Sequence, residues 1–364
     1  MVTAPKEPSK AVPIYGEGYE PDLGWMEKRG EWGIRAEAGK RGLTLEDIQI
    51  GSYAEAPEYS YNRSGRSRGS VARSGGYRSG NYSISSKQDI WLRNAAGLYE
   101  EALQRQWSSA TDIPWETIRP LPDDIERAES QFNTFLSDIE FVAADVPGKW
   151  VANTSPDYLE PRMFLMTQIV DEARHLDVFR KRALANGGGL MVRTEDTMVG
   201  GVVSIDHARD FSEMSARLHV IGEGPVLTIF RIGEMMAYNE AEKRMYRLAA
   251  QDESRHVAFG VMHMRYIGET EPERREEIHC YLDEGEEFLF IGSSTAAAAG
   301  ATSTESMAIL LGGGKDKYDE GLKLLMAINR RQVKEYMQRV KSAGFAERFS
   351  NGRAHPELLK MVAD

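Results

Sequence analysis

Asp171-Glu172-Ala173-Arg174-His175 and Asp252-Glu253-Ser254-Arg255-His256 are two copies of one pentapeptide pattern, Asp-Glu-x-Arg-His. Each lies in a stretch of helical periodicity, which puts Glu and His, three apart, on one helix face about 5–6 Å from each other. That is close enough to hold one metal ion between them. A single match is expected by accident in roughly one chain of this length in a thousand at average residue usage, and two are far rarer.

The chain around them reads as helices. Apolar residues at helical spacing predict helices over 89–108, 123–144, from 161 to a stop at Asn186-Gly187-Gly188-Gly189, over 206–238, and through the second pentapeptide to about residue 268. Pro147-Gly148 is read as the end of the second of these. After Pro272, further helices are predicted over 274–291, 306–311 and 316–341. No alternating strand pattern of comparable strength occurs, so the expected class is all-α.

Two Glu-x-x-His units on separate helices make half of a dinuclear site in a four-helix bundle, and the other two helices must each add an inward carboxylate. Glu140 lies 32 residues before Glu172, and Glu223 lies 30 before Glu253, both inside apolar stretches. The near-equal gaps are what a duplicated helix pair gives. The expected ligand set is therefore Glu140, Glu172, His175, Glu223, Glu253 and His256. Four carboxylates and two neutral imidazoles balance two divalent cations, and four like charges so close could not all stay ionised without them. Oxygen-rich ligation with two His and no thiolate suits iron or manganese, iron first. A metal-bound His usually donates its other N–H to a carboxylate, so Asp171 is expected to support His256, and Asp252 His175, with Arg174 and Arg255 screening the aspartates.

Composition frames these readings. The chain has 364 residues, 41% of them hydrophobic and 28% charged, enough for a sizeable core. One cysteine, Cys280, excludes disulfide, zinc-ribbon and cysteine-held iron–sulfur scaffolds and fits a reducing, cytoplasmic setting. No window reaches the apolar length of a membrane span. A net charge of −11 argues against nucleic acid as a partner. Charge is uneven, however: residues 1–90 carry 13 basic and 12 acidic side chains, leaving −12 for the rest. Between Ser60 and Gln88, Arg63, Arg66, Arg68, Arg73, Arg78 and Lys87 occur with no acid, among Ser, Gly and Tyr. This composition predicts an extended or disordered arm, or one ordered by an acidic surface or a phosphate-bearing substrate. The expected organisation is an arm (1–87), a bundle (88–268) and a helical extension (269–364).

The set Glu140, Asp171-Glu172-x-x-His175, Glu223 and Asp252-Glu253-x-x-His256 resembles the ferritin-like di-iron carboxylate superfamily. The Asp-Glu-x-Arg-His form is most similar to hydroxylase subunits of bacterial multicomponent monooxygenases. The resemblance spans roughly residues 88–268. It implies a ferritin-like four-helix bundle in which two Fe ions, with Mn or mixed Mn/Fe as variants, activate O2 to hydroxylate, epoxidise or N-oxygenate a small apolar or aromatic substrate. It further implies a separate electron-donor reductase or ferredoxin and a homo-oligomer, with residues 87–107 and 316–340 as candidate subunit surfaces. Phe135, Leu136, Gln168, Leu227 and Phe230, about one turn from ligands, are the candidate pocket lining. Those hydroxylases carry Thr four residues after the third glutamate. Here that position is Leu227, and Thr228, one residue later, is the candidate catalytic residue if a π-bulge brings it round. Two relatives bear on the substrate. Arylamine N-oxygenases carry an extra His where this chain has Ala249, and epoxidases of aromatic coenzyme A thioesters would give the Arg-rich arm a phosphate. Alternative functions are a ferroxidase or metal oxidase, or a radical generator like the small subunit of ribonucleotide reductase using Tyr99 or another tyrosine, although that family places Asp where Glu140 stands.

Overall fold

The computed structural model describes residues 23–27, 31–70, 80–192, 204–287 and 302–363. Among these the regular structure is helical, with only three isolated backbone bridges of β type. The helices are α1 (Ala95–Gln104), α2 (Asp123–Asn153), α3 (Leu159–Ala185), α4 (Phe211–Ser215), α5 (Glu223–Met236), α6 (Glu240–Thr270), α7 (Arg275–Glu286), α8 (Thr302–Gly312), α9 (Tyr318–Ser342) and α10 (Pro356–Ala363). A π-helical segment, Ala216–Gly222, joins α4 to α5. Helices α2, α3, α5 and α6 form the bundle, with α2 against α3 and α5 against α6 as its two pairs.

Several boundaries differ from those read in the sequence. The first helix is shorter, Ala95–Gln104 rather than 89–108, so Trp107 falls in the loop that follows it. Helix α2 runs through Pro147 to Asn153. A proline inside a helix costs about 3 kcal/mol or more, but the apolar stripe Ala143, Val146 and Trp150 continues past it into a buried cluster with Phe164 and Phe211, and this burial outweighs the break. Pro161, by contrast, sits in the first turn of α3, where its missing N–H had no helical partner to lose. The expected helix over 206–238 is divided by the π segment. Pro225 explains the place: its ring would collide with the carbonyl four residues back, and the wider turn just before Glu223 relieves that collision. Helix α10 has no counterpart in the sequence reading.

The basic arm is partly ordered on the bundle. Arg73 and Arg78 lie outside the described residues. Ser60 bonds Ser155 and Asp157 at the turn between α2 and α3, both at 2.6 Å, and Asn62 donates to Asp157 at 3.0 Å. Arg68 is buried in an ion pair with Glu160. Among the described residues Arg63 reaches Ser85, at 3.4 Å, and Arg66 is half-buried beside Asn62, which donates to its carbonyl.

Three apolar clusters hold the molecule together. One joins α2, α3, α5, α6 and α8 through Phe132, Leu136, Phe179, Phe230, Tyr246 and Leu310. A second, around Leu98, Trp150, Phe164, Met214 and Phe259, fills the other end of the bundle. A third packs α7, α9 and α10 on the π segment and the end of α6. Fully buried Arg182 ties α2, α3 and α6 by donating to Glu126 at 2.7 Å and Glu242 at 2.6 Å. No described helix is long and apolar enough to cross a membrane.

Helices α8 and α9 cross where Gly321 lies, and a Cβ there would sit 1.7 Å from the carbonyl oxygen of Ala308. Backbone cannot yield as a flexible side chain can. Gly321→Ala should therefore destabilise the fold by about 1–3 kcal/mol, read as a melting temperature lower by several degrees in circular dichroism. An unchanged melting temperature would show that the two helices do not meet this closely.

Candidate metal centre

Between the first two apolar clusters lies a polar layer supplied by all four bundle helices. Donor atoms of Glu140 (α2), Glu172 and His175 (α3) and Glu253 (α6) lie within 4.8 Å of one another, and so do those of Glu172, Glu223 (α5), Glu253 and His256. The six side chains thus form two overlapping groups that share Glu172 and Glu253. Each Glu-x-x-His helix contributes one shared carboxylate and one imidazole, while α2 and α5 contribute one terminal carboxylate each. Exposure is at most 3% for every one of the six.

The imidazoles are oriented by their far edges. His175 Nε2 donates to Asp252 Oδ2 at 3.3 Å, and His256 Nε2 to Asp171 Oδ2 at 3.4 Å, so each aspartate supports the histidine of the opposite pentapeptide. This fixes the tautomer and turns both Nδ1 atoms inward, where His175 Nδ1 lies 2.9 Å from Glu172 and 3.2 Å from Glu253, and His256 Nδ1 3.0 Å from Glu172. Arg174 bridges Asp171 and Asp252, the latter at 3.1 Å, and Arg255 bridges the same two, Asp171 at 3.0 Å. Two aspartates and two arginines make an outer box that is neutral by itself.

The inner layer is not. Glu140 Oε1, Glu172 Oε1, Glu223 Oε2, Glu253 Oε2 and His256 Nδ1 are buried without a hydrogen-bond partner. Inward lone pairs facing carboxylate oxygens at these distances repel unless a cation stands among them. Without metal, protons do this work. Burial, then the charge of Glu172, holds Glu140 well above the usual carboxylate range, and burial does the same to Glu223. Burial opposes charge on the two imidazoles, but Asp252, Glu172 and Glu253 around His175, and Glu172 and Asp171 around His256, outweigh it and raise both well above the ordinary histidine value. Glu172 is held low against its burial by His256 and His175. The donor set, of oxygen and imidazole with orphaned inward atoms, fits a pair of divalent cations. Glu172 and Glu253 would bridge, Glu140 and His175 would complete one position, and Glu223 and His256 the other.

Apolar residues wall this layer. Phe230 and Phe179 lie 6.1 and 6.4 Å from the His175 ring, and Phe164 packs edge-on to His256 at 6.3 Å. Of the five residues read as pocket lining, Leu136, Leu227 and Phe230 are core, and Phe135 packs against them. Gln168 is instead bonded to Glu223, donating from Nε2 at 2.8 Å. Thr228 is a correction: its hydroxyl donates to Glu335 on α9, not to the metal layer. The π segment ends at Gly222, so α5 winds regularly from Glu223, and five residues at about 100° each carry Thr228 well off the ligand face. Tyr99 packs in the second cluster, and the tyrosine beside Phe179 and Phe230 is Tyr246.

Trp107 is the site residue that sequence patterns missed. Its indole N–H donates to Asp252 Oδ2 at 2.7 Å, its ring stacks on His175 at 6.3 Å, and Arg174 lies 5.2 Å over it. Nothing in a loop 145 residues from its partner marks such a contact.

No protein-family model and no curated protein matches this chain. Solved structures do. An R2-like ligand-binding oxidase variant with an aerobically reconstituted Fe/Fe cofactor superposes with a TM-score of 0.55 at 18% identity, over 69% of this chain and 94% of that one. A second variant, with an anaerobically reconstituted Mn/Fe cofactor, gives 0.54 at 18% over the same shares. The oxidase aerobically reconstituted with Mn/Fe gives 0.53 at 17%, over 69% and 93%. The likeness establishes the fold. This chain is an all-α, ferritin-like helical bundle, and the hydroxylase resemblance read from the pentapeptides is finer than the superposition reaches.

Protons on Glu140, Glu223, His175 and His256 must leave before cations enter, so apparent metal affinity should rise with pH. Calorimetry with Mn(II) in buffers of different ionisation enthalpy should show proton release on binding, and affinity that ignores pH would contradict this. Asp252→Asn removes the anion that orients His175 and receives Trp107, and should weaken metal binding about 10- to 100-fold in the same titration.

Proposed function

We propose that this chain is an O2-dependent oxidoreductase that uses a metal pair, iron or mixed Mn/Fe, to oxygenate a small apolar or aromatic substrate. The observation that carries the reading is the pair of overlapping ligand groups that share Glu172 and Glu253 in a layer walled by Phe164, Phe179 and Phe230. The R2-like oxidases named above carry Fe/Fe or Mn/Fe cofactors, which supports the choice of metals. The Asp-Glu-x-Arg-His pattern favours the hydroxylase type of chemistry over metal oxidation alone.

A redox-active metal pair supplies electrons for the reduction of dioxygen. The protein residues do the rest. Glu140, Glu172, His175, Glu223, Glu253 and His256 would hold the two cations. Asp171 and Asp252 hold the Nε2 proton of each imidazole and so aim Nδ1 inward, where a cation would take the place of a proton, and the neutral box they form with Arg174 and Arg255 leaves the inner layer free to bind cationic charge. The apolar walls exclude water, and Phe135, Leu136, Leu227 and Phe230 offer an apolar substrate its contact surface. In oxygenation, one oxygen atom enters the substrate and the other leaves as water, with two electrons drawn from a separate reductase or ferredoxin and two protons from solvent water. A coenzyme A thioester is a narrower variant of this substrate class. Arg68 is already committed to Glu160, which leaves Arg63 and Arg66 as described arm residues to meet a phosphate.

Iron analysis should give two ions per chain, and the reduced protein mixed with O2 should show a transient visible absorption and consume substrate. Many ions per chain would favour storage, and a tyrosyl signal in electron resonance would favour a radical generator. Two bound irons with neither absorption nor consumption would overturn the reading. Glu172→Ala should lose metal at both positions, while Glu140→Ala should lose it at one.

A further inference from the structure

Glu140 and Glu223 stand in equivalent places at the two ends of the metal layer, yet they are held differently. Glu140 faces Glu172 within the layer, and its Oε1 has no hydrogen-bond partner. Glu223 Oε1 accepts from Gln168 Nε2 at 2.8 Å, Gln168 Oε1 lies 3.1 Å from His219 Nε2, and His219 Nδ1 lies 2.9 Å from Ser215 Oγ. Gln168, His219 and Ser215 are fully buried.

The direction of this chain is forced. A carboxylate bound to a cation can only accept, so the Gln168 amide must donate to it and present Oε1 to His219. His219 then carries its proton on Nε2 and accepts at Nδ1 from the Ser215 hydroxyl. Burial, then the charge on His256, pushes the His219 pKa down to about 3, so the ring stays neutral. An amide cannot pass a proton on without leaving its stable form, which makes the chain a strut and not a proton wire.

The fold is built around it. The π segment carries His219 four residues after Ser215 and four before Glu223. Gly260 on α6 makes room for it, since a Cβ there would lie 2.4 Å from the Cβ of His219, and the ring packs edge-on to Phe259 at 5.3 Å.

We propose that Gln168 and His219 are positioning residues that lock the Glu223 carboxylate, so that the position bounded by Glu223 and His256 binds its ion more tightly than the Glu140–His175 position. This rests on the two-metal reading above. Prepaid orientation favours the locked position, while Glu140 keeps the freedom to swing.

The test titrates the metal-free full-length protein with Mn(II), reading free aqua ion by electron resonance. The wild type should bind two ions with unequal affinity. Gln168→Met keeps the bulk and removes the donor. In a Glu140→Ala background, which isolates the Glu223–His256 position, it should weaken binding about 10- to 100-fold, and in a Glu223→Ala background it should add nothing. His219→Gln, which still donates to Gln168, should bind better than His219→Leu, and melting of each metal-free variant reports whether the fold survives. Two ions bound by the wild type with equal effects of Gln168→Met in both backgrounds, or with no effect in either, overturn the strut alone. A wild type that binds no pair of ions overturns the two-metal reading together with the strut.

Discussion

Four carboxylates buried in one layer, with no lysine or arginine among the described residues inside it, is the constraint on which the rest of this structure depends. Taking even one ionised carboxylate from water costs several kcal/mol unless its charge is matched, and Glu140, Glu172, Glu223 and Glu253 lie within a few ångström of one another. Only protons or cations can balance them there. Without metal, burial favours a proton on Glu140 and Glu223, while the carboxylates around His175 and His256 favour charge on those imidazoles. Each of these protons stands where a cation would. The same layer divides the bundle core in two, because Phe179 and Phe230 end on one side of it and Phe164 and Phe259 on the other.

The surrounding charges are arranged so as not to compete. Asp171 and Asp252 each receive an imidazole and both arginines, so the outer box is neutral and holds its shape without drawing on the inner layer. Trp107 closes this box, its indole N–H on Asp252 and its face under Arg174. The pentapeptide is therefore one device used twice. Its Glu and His face the inner layer, its Asp crosses to the other copy's His, and its Arg spans both aspartates.

The bundle and the convergence of these six side chains were legible because both rest on short-range periodicity. Glu-x-x-His spacing is decided within one turn of helix, and the near-equal gaps to Glu140 and Glu223 follow from two helix pairs of similar length. What escaped the sequence rests on contacts between distant segments or on a change of winding. Pro147 reads locally as a stop, and only the packing of Trp150 beyond it shows otherwise. His219 looks like one polar residue in an apolar run, and its role appears once Gln168 is brought from α3 and the π turn sets its angle. The arm reads as unstructured from composition, but Arg68 finds in Glu160 a partner 92 residues away.

The misplacement of Thr228 shows how the extension beyond the bundle bears on the metal layer. Five residues after Val220 the chain has Pro225, which has no N–H to offer the Val220 carbonyl across the π turn, and a buried carbonyl needs a donor. Helix α9 supplies it: Arg339 donates to the Val220 carbonyl at 3.1 Å, Gln332 to that of Pro225 at 3.1 Å, and Glu335 receives the Thr228 hydroxyl. These three contacts span the turn that carries Glu223. Helix α9 thus completes the hydrogen bonding around the distorted segment, and the distortion is what sets His219 against Gln168. Removing α9 would expose the very backbone whose geometry orients a ligand, so the ligand's placement belongs as much to the last third of the chain as to the helix that bears it.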